Sequence, residues 1–176
     1  MIHLNKPAPD FSNATTYQKG KANFTKTNLK DYKGKWLVFF FYPRDFTFIC
    51  PTELKGFAKM KPEFDKLNCE ILACSTDSEW SHKNWFERDL PDLDYPIIAD
   101  TTHKIARDYD VLNEDDGSAE RGLFIIDPEG VLKYALVSSG SVGRSVTEVL
   151  RVLQALQSGE LCPVDWTPGS QTLGKA

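Results

Sequence analysis

Residues 36–42, Trp-Leu-Val-Phe-Phe-Phe-Tyr, run apolar without a break. Alternation would mark a strand with one wet face, whereas an unbroken run of this length predicts a strand buried on both faces. The period then changes. Leu54, Phe57, Met60, Phe64 and Leu67 recur at roughly helical spacing through residues 51–67, with Pro62 as a candidate kink. Residues 69–76 (CEILACST) predict a second strand and 78–90 (SEWSHKNWFERDL) a second helix. The alternation continues with YPIIAD (95–100) and a short helical HKIARDY (103–109). Two apolar runs around Asp127-Pro128-Glu129-Gly130 predict a hairpin over 121–138. Residues 145–157 then place Val146, Val149, Leu150, Leu153 and Leu156 on one face of a helix. Strands alternating with helices and closing in a hairpin plus helix give an α/β class: a mixed central sheet flanked by helices. The segment from Ser158 onward, rich in Gly, Pro and Ser, has no period and reads as an extended C-terminal tail.

At 176 residues the chain suits one domain with a full core, with 1–158 as the domain and 159–176 as the tail. Its 41% hydrophobic and 26% charged residues are those of an ordinary globular protein. No run approaches the length of a membrane span, and MIHLNKPAPDFSN lacks the basic and apolar regions of a secretory signal. A net charge of −4 with no dense basic block speaks against nucleic-acid binding. Four scattered cysteines, Cys50, Cys69, Cys74 and Cys162, are too few for a disulfide-stapled scaffold, so a reducing cytoplasm is the expected setting.

One of these cysteines sits where packing alone gives it little to do. Pro51 suits the first helical position and Glu53 the first turn, which puts Cys50 at or beside the helix N-cap. That position exposes the sulfur, and the unpaired N–H groups and helix dipole there favour a thiolate. Thr47, three residues earlier, carries a hydroxyl that could turn toward the sulfur, and Pro43 breaks the strand and could wall off a pocket. A buried cysteine acting as a small apolar group fits the same position, and the junction alone leaves both readings open.

The stretch FYPRDFTFICPTE resembles the P-x-x-x-T-x-x-C motif of peroxiredoxins, met by Pro43, Thr47 and Cys50. The resemblance is to the typical two-cysteine branch, which includes the alkyl hydroperoxide reductase peroxidase subunit. It continues through ACSTDSEWSHKNW, RGLFIIDPEG, VGRSVTEVLR and GELCPVDW, nearly the whole chain in order. It implies a thioredoxin-like fold and a thiol peroxidase that reduces hydrogen peroxide and alkyl hydroperoxides, without cofactor or metal. Cys50 would be the peroxidatic cysteine and Cys162 the resolving cysteine of a partner subunit. Arg121, otherwise a surface charge by its type, matches the active-site arginine, and Arg144 a residue supporting it from behind. Implied partners are a second copy in a head-to-tail homodimer, a ring-shaped decamer, and thioredoxin or a dedicated flavoprotein reductase. Relatives that overoxidise readily carry a Gly-Gly-Leu-Gly insertion before the strand at 95–100 and a C-terminal helix with Tyr-Phe; this chain has neither.

The remaining signals carry less. Cys69 and Cys74, five apart on a strand, point to opposite faces, cannot share a metal and read as core. His3, His82 and His103 form no ligand pair. SGSVGRS (139–145) lacks the first glycine and the lysine of a phosphate loop, and its Ser139-Gly140-Ser141 replaces the bulkier approach to Gly143 usual in the family. Trp80 and Trp85 read as core or interface aromatics. A dithiol oxidoreductase would need a second cysteine at residue 53, which is Glu. The competing class is a ring-forming holdase chaperone or peroxide-signalling relay, separable from an enzyme by peroxide-dependent NADPH consumption.

Overall fold

The computed structural model describes residues 2–21 and 23–175. They form two compact units, one ending at Arg144 and one beginning at Ser145. The first unit is built on one seven-stranded sheet. Its strands are β1 (Ala14–Tyr17), β2 (Thr25–Thr27), β3 (Trp36–Phe41), β4 (Cys69–Ser75), β5 (Ile97–Ala99), β6 (Arg121–Ile126) and β7 (Leu132–Ser138), in the order β2-β1-β5-β4-β3-β6-β7. β3, β4 and β5 are parallel; β1, β2, β6 and β7 join antiparallel. The mixed sheet is therefore as the sequence predicts. The parallel steps need crossovers, supplied by α1 (Cys50–Lys66) between β3 and β4 and α2 (Glu79–Asp89) between β4 and β5.

The apolar run at 36–42 takes the interior position its composition demands, between β4 and β6. Leu37 to Tyr42 are all 1% exposed or less. Alternate residues serve opposite faces of the sheet. Phe40 stacks on Phe57 of α1 with ring centroids 4.3 Å apart, and Phe57 meets Phe64 two helical turns further on. On the other face Leu37, Phe39 and Phe41 join a core with Ile105 and Ala106 of α3 (Lys104–Asp108), Tyr109 and Phe124. Each such buried aromatic or Leu contributes about 1.5–3 kcal/mol by leaving water. α1 runs on through Pro62 to Lys66. Cys69 and Cys74 are buried free thiols on β4. Burial pushes the Cys69 thiol up to about 12 and Cys74 well above its ordinary value, which suits packing and not reactivity.

At the 127–130 turn Asp127 Oδ1 accepts the N–H groups of Glu129 and Val131, and Gly130 takes a φ of 86°, which a glycine adopts at little cost. The N-terminal hairpin of β1 and β2 was not legible in the pattern. Its strands are four and three residues long, rich in Thr, and exist because β1 pairs with the edge of β5.

The second unit holds α4 (Val146–Ser158), capped by the Ser145 hydroxyl accepting from the Glu148 N–H, and ended by Gly159 in the left-handed region at φ 64°. Among the described residues the segment after it has no helix or strand, as its composition predicts. It is not free of contacts, however, since Leu161 is hydrogen-bonded to residues 173 and 174. Among the described residues no helix is long and apolar enough to cross a membrane.

Candidate active site

β3 delivers the chain to Tyr42, and the loop from Pro43 to Ile49 carries it to Cys50. That loop is held by a buried polar cluster. Asp45 accepts from the Tyr42 hydroxyl (2.8 Å) and the Ser81 hydroxyl (2.7 Å), and pairs with His82 Nδ1 (2.8 Å). The other His82 nitrogen faces the Ile98 carbonyl at 3.2 Å. The Asp45 N–H donates to Asp77 Oδ2, and Arg44 reaches Thr76 and the Asp116 carbonyl. These tethers hold Phe46 at φ 57°, a left-handed conformation costing a side-chain-bearing residue roughly 1–2 kcal/mol.

Cys50 is the first residue of α1, with Ile49 as N-cap and Pro51 second. Ile49 gives no side-chain cap, and the N–H groups of Thr52 and Glu53 share its one carbonyl. The sulfur was expected to be exposed; Cys50 is 1% exposed. The helix start alone would leave it open, but the first residue of β6 brings a side chain over it. Arg121 Nη1 lies 3.5 Å from Cys50 Sγ and donates to Glu53 Oε2 at 2.7 Å. Arg121 Nε and Nη2 both donate to the Gly140 carbonyl, at 3.0 and 2.8 Å. The small-residue loop at 139–141 thus anchors the guanidinium through its backbone.

Glu53 joins the site to a second arginine. Its Oε1 accepts the Arg144 N–H (2.8 Å) and Nε (2.7 Å), and its Oε2 accepts Arg144 Nη2 (2.9 Å) beside Arg121. Arg144 Nη1 donates to the Gly122 carbonyl at 2.6 Å, and its guanidinium lies 5.1 Å over the Phe40 ring. The three charged side chains are all 4% exposed or less. Burial alone would push the Glu53 carboxyl up, but the Arg144 hydrogen bonds and charge, then the Arg121 charge, outweigh it and hold it below its ordinary value. Two cations and one anion leave a net charge of +1 against the sulfur. A buried excess of that sign favours negative charge beside it.

Of the expected site residues, the structure brings Arg121 onto Cys50. Thr47 is exposed, and its hydroxyl donates to the Arg44 carbonyl at 2.9 Å and not to the sulfur. Pro43 is half-buried at the end of β3. Cys162 lies in the C-terminal unit, its Sγ 3.5 Å from Ser158 Oγ and 3.8 Å from the Ala155 carbonyl. All four cysteines are free. No group of three or more ligand-type side chains able to hold a metal occurs among the described residues. The sequence reading took Glu53 as a first-turn acid and missed its role. One signal for it was present: three residues after Cys50 on a helix is the same face.

A cysteine on the first turn of the helix after the central strand, under a buried guanidinium, defines a thiol enzyme on a thioredoxin-like sheet. The AhpC/TSA family matches residues 4–135, and the chain belongs to it. It is 49% identical over 180 residues to peroxiredoxin-2 of Bos taurus, covering 97% of this chain and 89% of that one. A putative peroxiredoxin in the rubredoxin operon of Clostridium pasteurianum is 47% identical over 175 residues, covering 97% and 98%. The crystal structure of the reduced Plasmodium vivax 2-Cys peroxiredoxin superposes with a TM-score of 0.92 at 33% identity, covering 98% of this chain and 93% of that one.

Proposed function

We propose that this enzyme is a thiol-dependent peroxidase for hydrogen peroxide and alkyl hydroperoxides, in which Cys50 is the attacking sulfur. The observation that carries the assignment is Arg121 Nη1, bridging Cys50 Sγ and Glu53 within a buried cluster of net charge +1. The thiolate attacks one peroxide oxygen, the O–O bond breaks, and the other oxygen leaves with a proton as water or alcohol. Cys50 becomes a sulfenic acid. An ordinary thiol of pKa about 8.5 is already a few per cent ionised at pH 7, so full ionisation adds at most about 30-fold. The larger share comes from donors aimed at the oxygens as charge builds on the leaving one. Arg121 supplies that donor; Thr47 orients the peroxide once its hydroxyl leaves the Arg44 carbonyl and turns toward Cys50, and Pro43 limits water.

Cys162 resolves the sulfenic acid: its thiolate attacks Cys50 sulfur, the S–O bond breaks, and water leaves after protonation. A disulfide needs sulfurs about 2 Å apart, so the buried Cys50 must first emerge. The first turn of α1 is built to open, with no side-chain cap and no N–H on Pro51. Glu53, held by four N–H groups, is where that unwinding stops. The partner cysteine comes from a second copy, and β7, the last strand in the sheet order, offers an edge for pairing. Exposed Phe46, Phe48 and Trp80 suit further contacts between dimers in a decameric ring. Thioredoxin or a flavoprotein reductase regenerates the thiols, and the free cysteines suit the cytoplasm.

The direct test is NADPH consumption with peroxide, thioredoxin and its reductase at low protein concentration. Turnover proportional to enzyme is expected; no consumption with any thiol reductant or peroxide would remove the assignment. Cys162→Ser should lose the disulfide-linked dimer on a non-reducing gel while still consuming about one equivalent of peroxide. A dimer band that persists would move the resolving role to another cysteine.

Overoxidation gives a further prediction. Among the described residues nothing after Ser158 is helical, and the turn that begins at Cys50 has no side-chain cap. Cys162 should capture the sulfenic acid before a second peroxide makes the sulfinic acid. Mass spectrometry of Cys50 during turnover should find the sulfinic form only at high peroxide. Accumulation at low peroxide, as fast as in a sensitive relative, would contradict this.

A further inference from the structure

Only Gly159, Glu160 and Leu161 separate the last residue of α4 from Cys162. Both backbone groups of Leu161 are engaged by residues near the C-terminal end. Its N–H donates to the Gly174 carbonyl at 2.8 Å, and its carbonyl accepts from the Leu173 N–H at 2.8 Å. The Thr172 hydroxyl adds a bond to the Glu160 carboxylate. The chain from Cys162 to Gly174 is therefore a closed loop with Leu161 at its neck. Within it Trp166 is buried and donates Nε1 to the Ser170 carbonyl, while Arg151 of α4 donates to the Trp166 carbonyl. Cys162 itself rests on the end of α4, its sulfur against Ser158 and the Ala155 carbonyl.

We propose that Thr172–Gly174 is a retaining strap that positions Cys162, holding it on the end of α4 until the strap opens. This rests on the resolving role given above to Cys162. With the neck closed, the residue beside Cys162 is fixed from both sides. Once it opens, the four steps from Ser158 to Cys162 extend to about 14 Å, which gives the sulfur reach. The strap consists of backbone bonds at a solvent-exposed edge, and such bonds contribute modestly in water, so its opening is frequent. It delays resolution without preventing it, and it sets how long the sulfenic acid waits. Leu173 is 71% exposed, so its side chain contributes little to the hold; the N–H is the working part.

The test compares Leu173→Pro, which removes that N–H, with Leu173→Ala, which keeps it, and with a chain ending at Ser170. In a Cys50→Ser background, maleimide labelling of Cys162 is timed by peptide mass. In otherwise wild-type protein, rapid quench after one equivalent of peroxide follows Cys50 oxidation and disulfide formation separately. Leu173→Pro and the shortened chain should label Cys162 and form the disulfide about fivefold to tenfold faster, with Cys50 oxidation unchanged and Leu173→Ala like wild type. Equal labelling rates for the Pro and Ala variants would overturn the strap, as would faster labelling with unchanged disulfide formation. Failure of the peroxidase reading is a separate result: peroxide would then leave Cys50 unoxidised, while the labelling rates still decide whether the strap holds Cys162.

Discussion

Cys50→Ser is expected to abolish peroxide turnover, a loss on the order of a millionfold if it follows nucleophile removal in other covalent enzymes. A hydroxyl is not ionised at pH 7 and does not take an oxygen from peroxide, so no residual route runs through residue 50. The fold should be unaffected. Oxygen fits the space of sulfur, and Arg121 keeps its bonds to Glu53 and the Gly140 carbonyl. The check is steady-state turnover beside a thermal melt. Activity within tenfold of wild type in a normally melting variant would end the assignment of Cys50.

Glu53→Gln should give the largest loss of stability. The carboxylate accepts four N–H bonds from two buried arginines. An amide presents its own N–H groups to those donors and leaves two cations without a counter-charge. Breaking a buried pair in this way costs about 3–5 kcal/mol. For a chain of this length that lowers the melting temperature by roughly 10 °C. The effect has a pH signature. Glu53 is held below its ordinary value in the folded state, so its contribution is complete above about 4.5 and fades as pH falls through the lower folded value. The gap between wild type and variant should therefore be full at pH 7 and narrow as the pH falls below the ordinary carboxylate value of 4.5. A gap that stays constant into acid, or a neutral-pH difference under 1 kcal/mol, would remove the ion cluster as the reason. Activity should fall as well, because Arg121 loses the partner that aims it.

What the sequence made legible follows from where the information is local. The apolar run of β3 and the hairpin of β6 and β7 declare themselves, because burial on one or both faces leaves a periodic trace. Cys50 at the helix start was readable from Pro51 and Glu53. Arg121 was not: its type and position suit a surface charge, and only the family resemblance singled it out. The Asp45–His82 pair joins residues far apart in the chain, and neither side chain stands in a local pattern. β1 and β2 failed for a related reason, since strands of three or four residues are too short to leave a pattern and form only when another strand's edge is waiting. Whether Cys50 is buried stayed open in the sequence, because the residue covering it arrives from β6.

The central claim is that peroxide oxidises Cys50 and that Cys162 of another chain closes the cycle. Peptide mapping under non-reducing conditions, after one equivalent of peroxide, tests it most directly. Wild-type and isotope-labelled chains mixed beforehand identify which chain supplies each peptide. The prediction is a Cys50–Cys162 linked peptide pair carrying one label of each kind, with Cys69 and Cys74 recovered as free thiols. A disulfide that includes Cys69 or Cys74, or a Cys50–Cys162 link always within one chain, would contradict it.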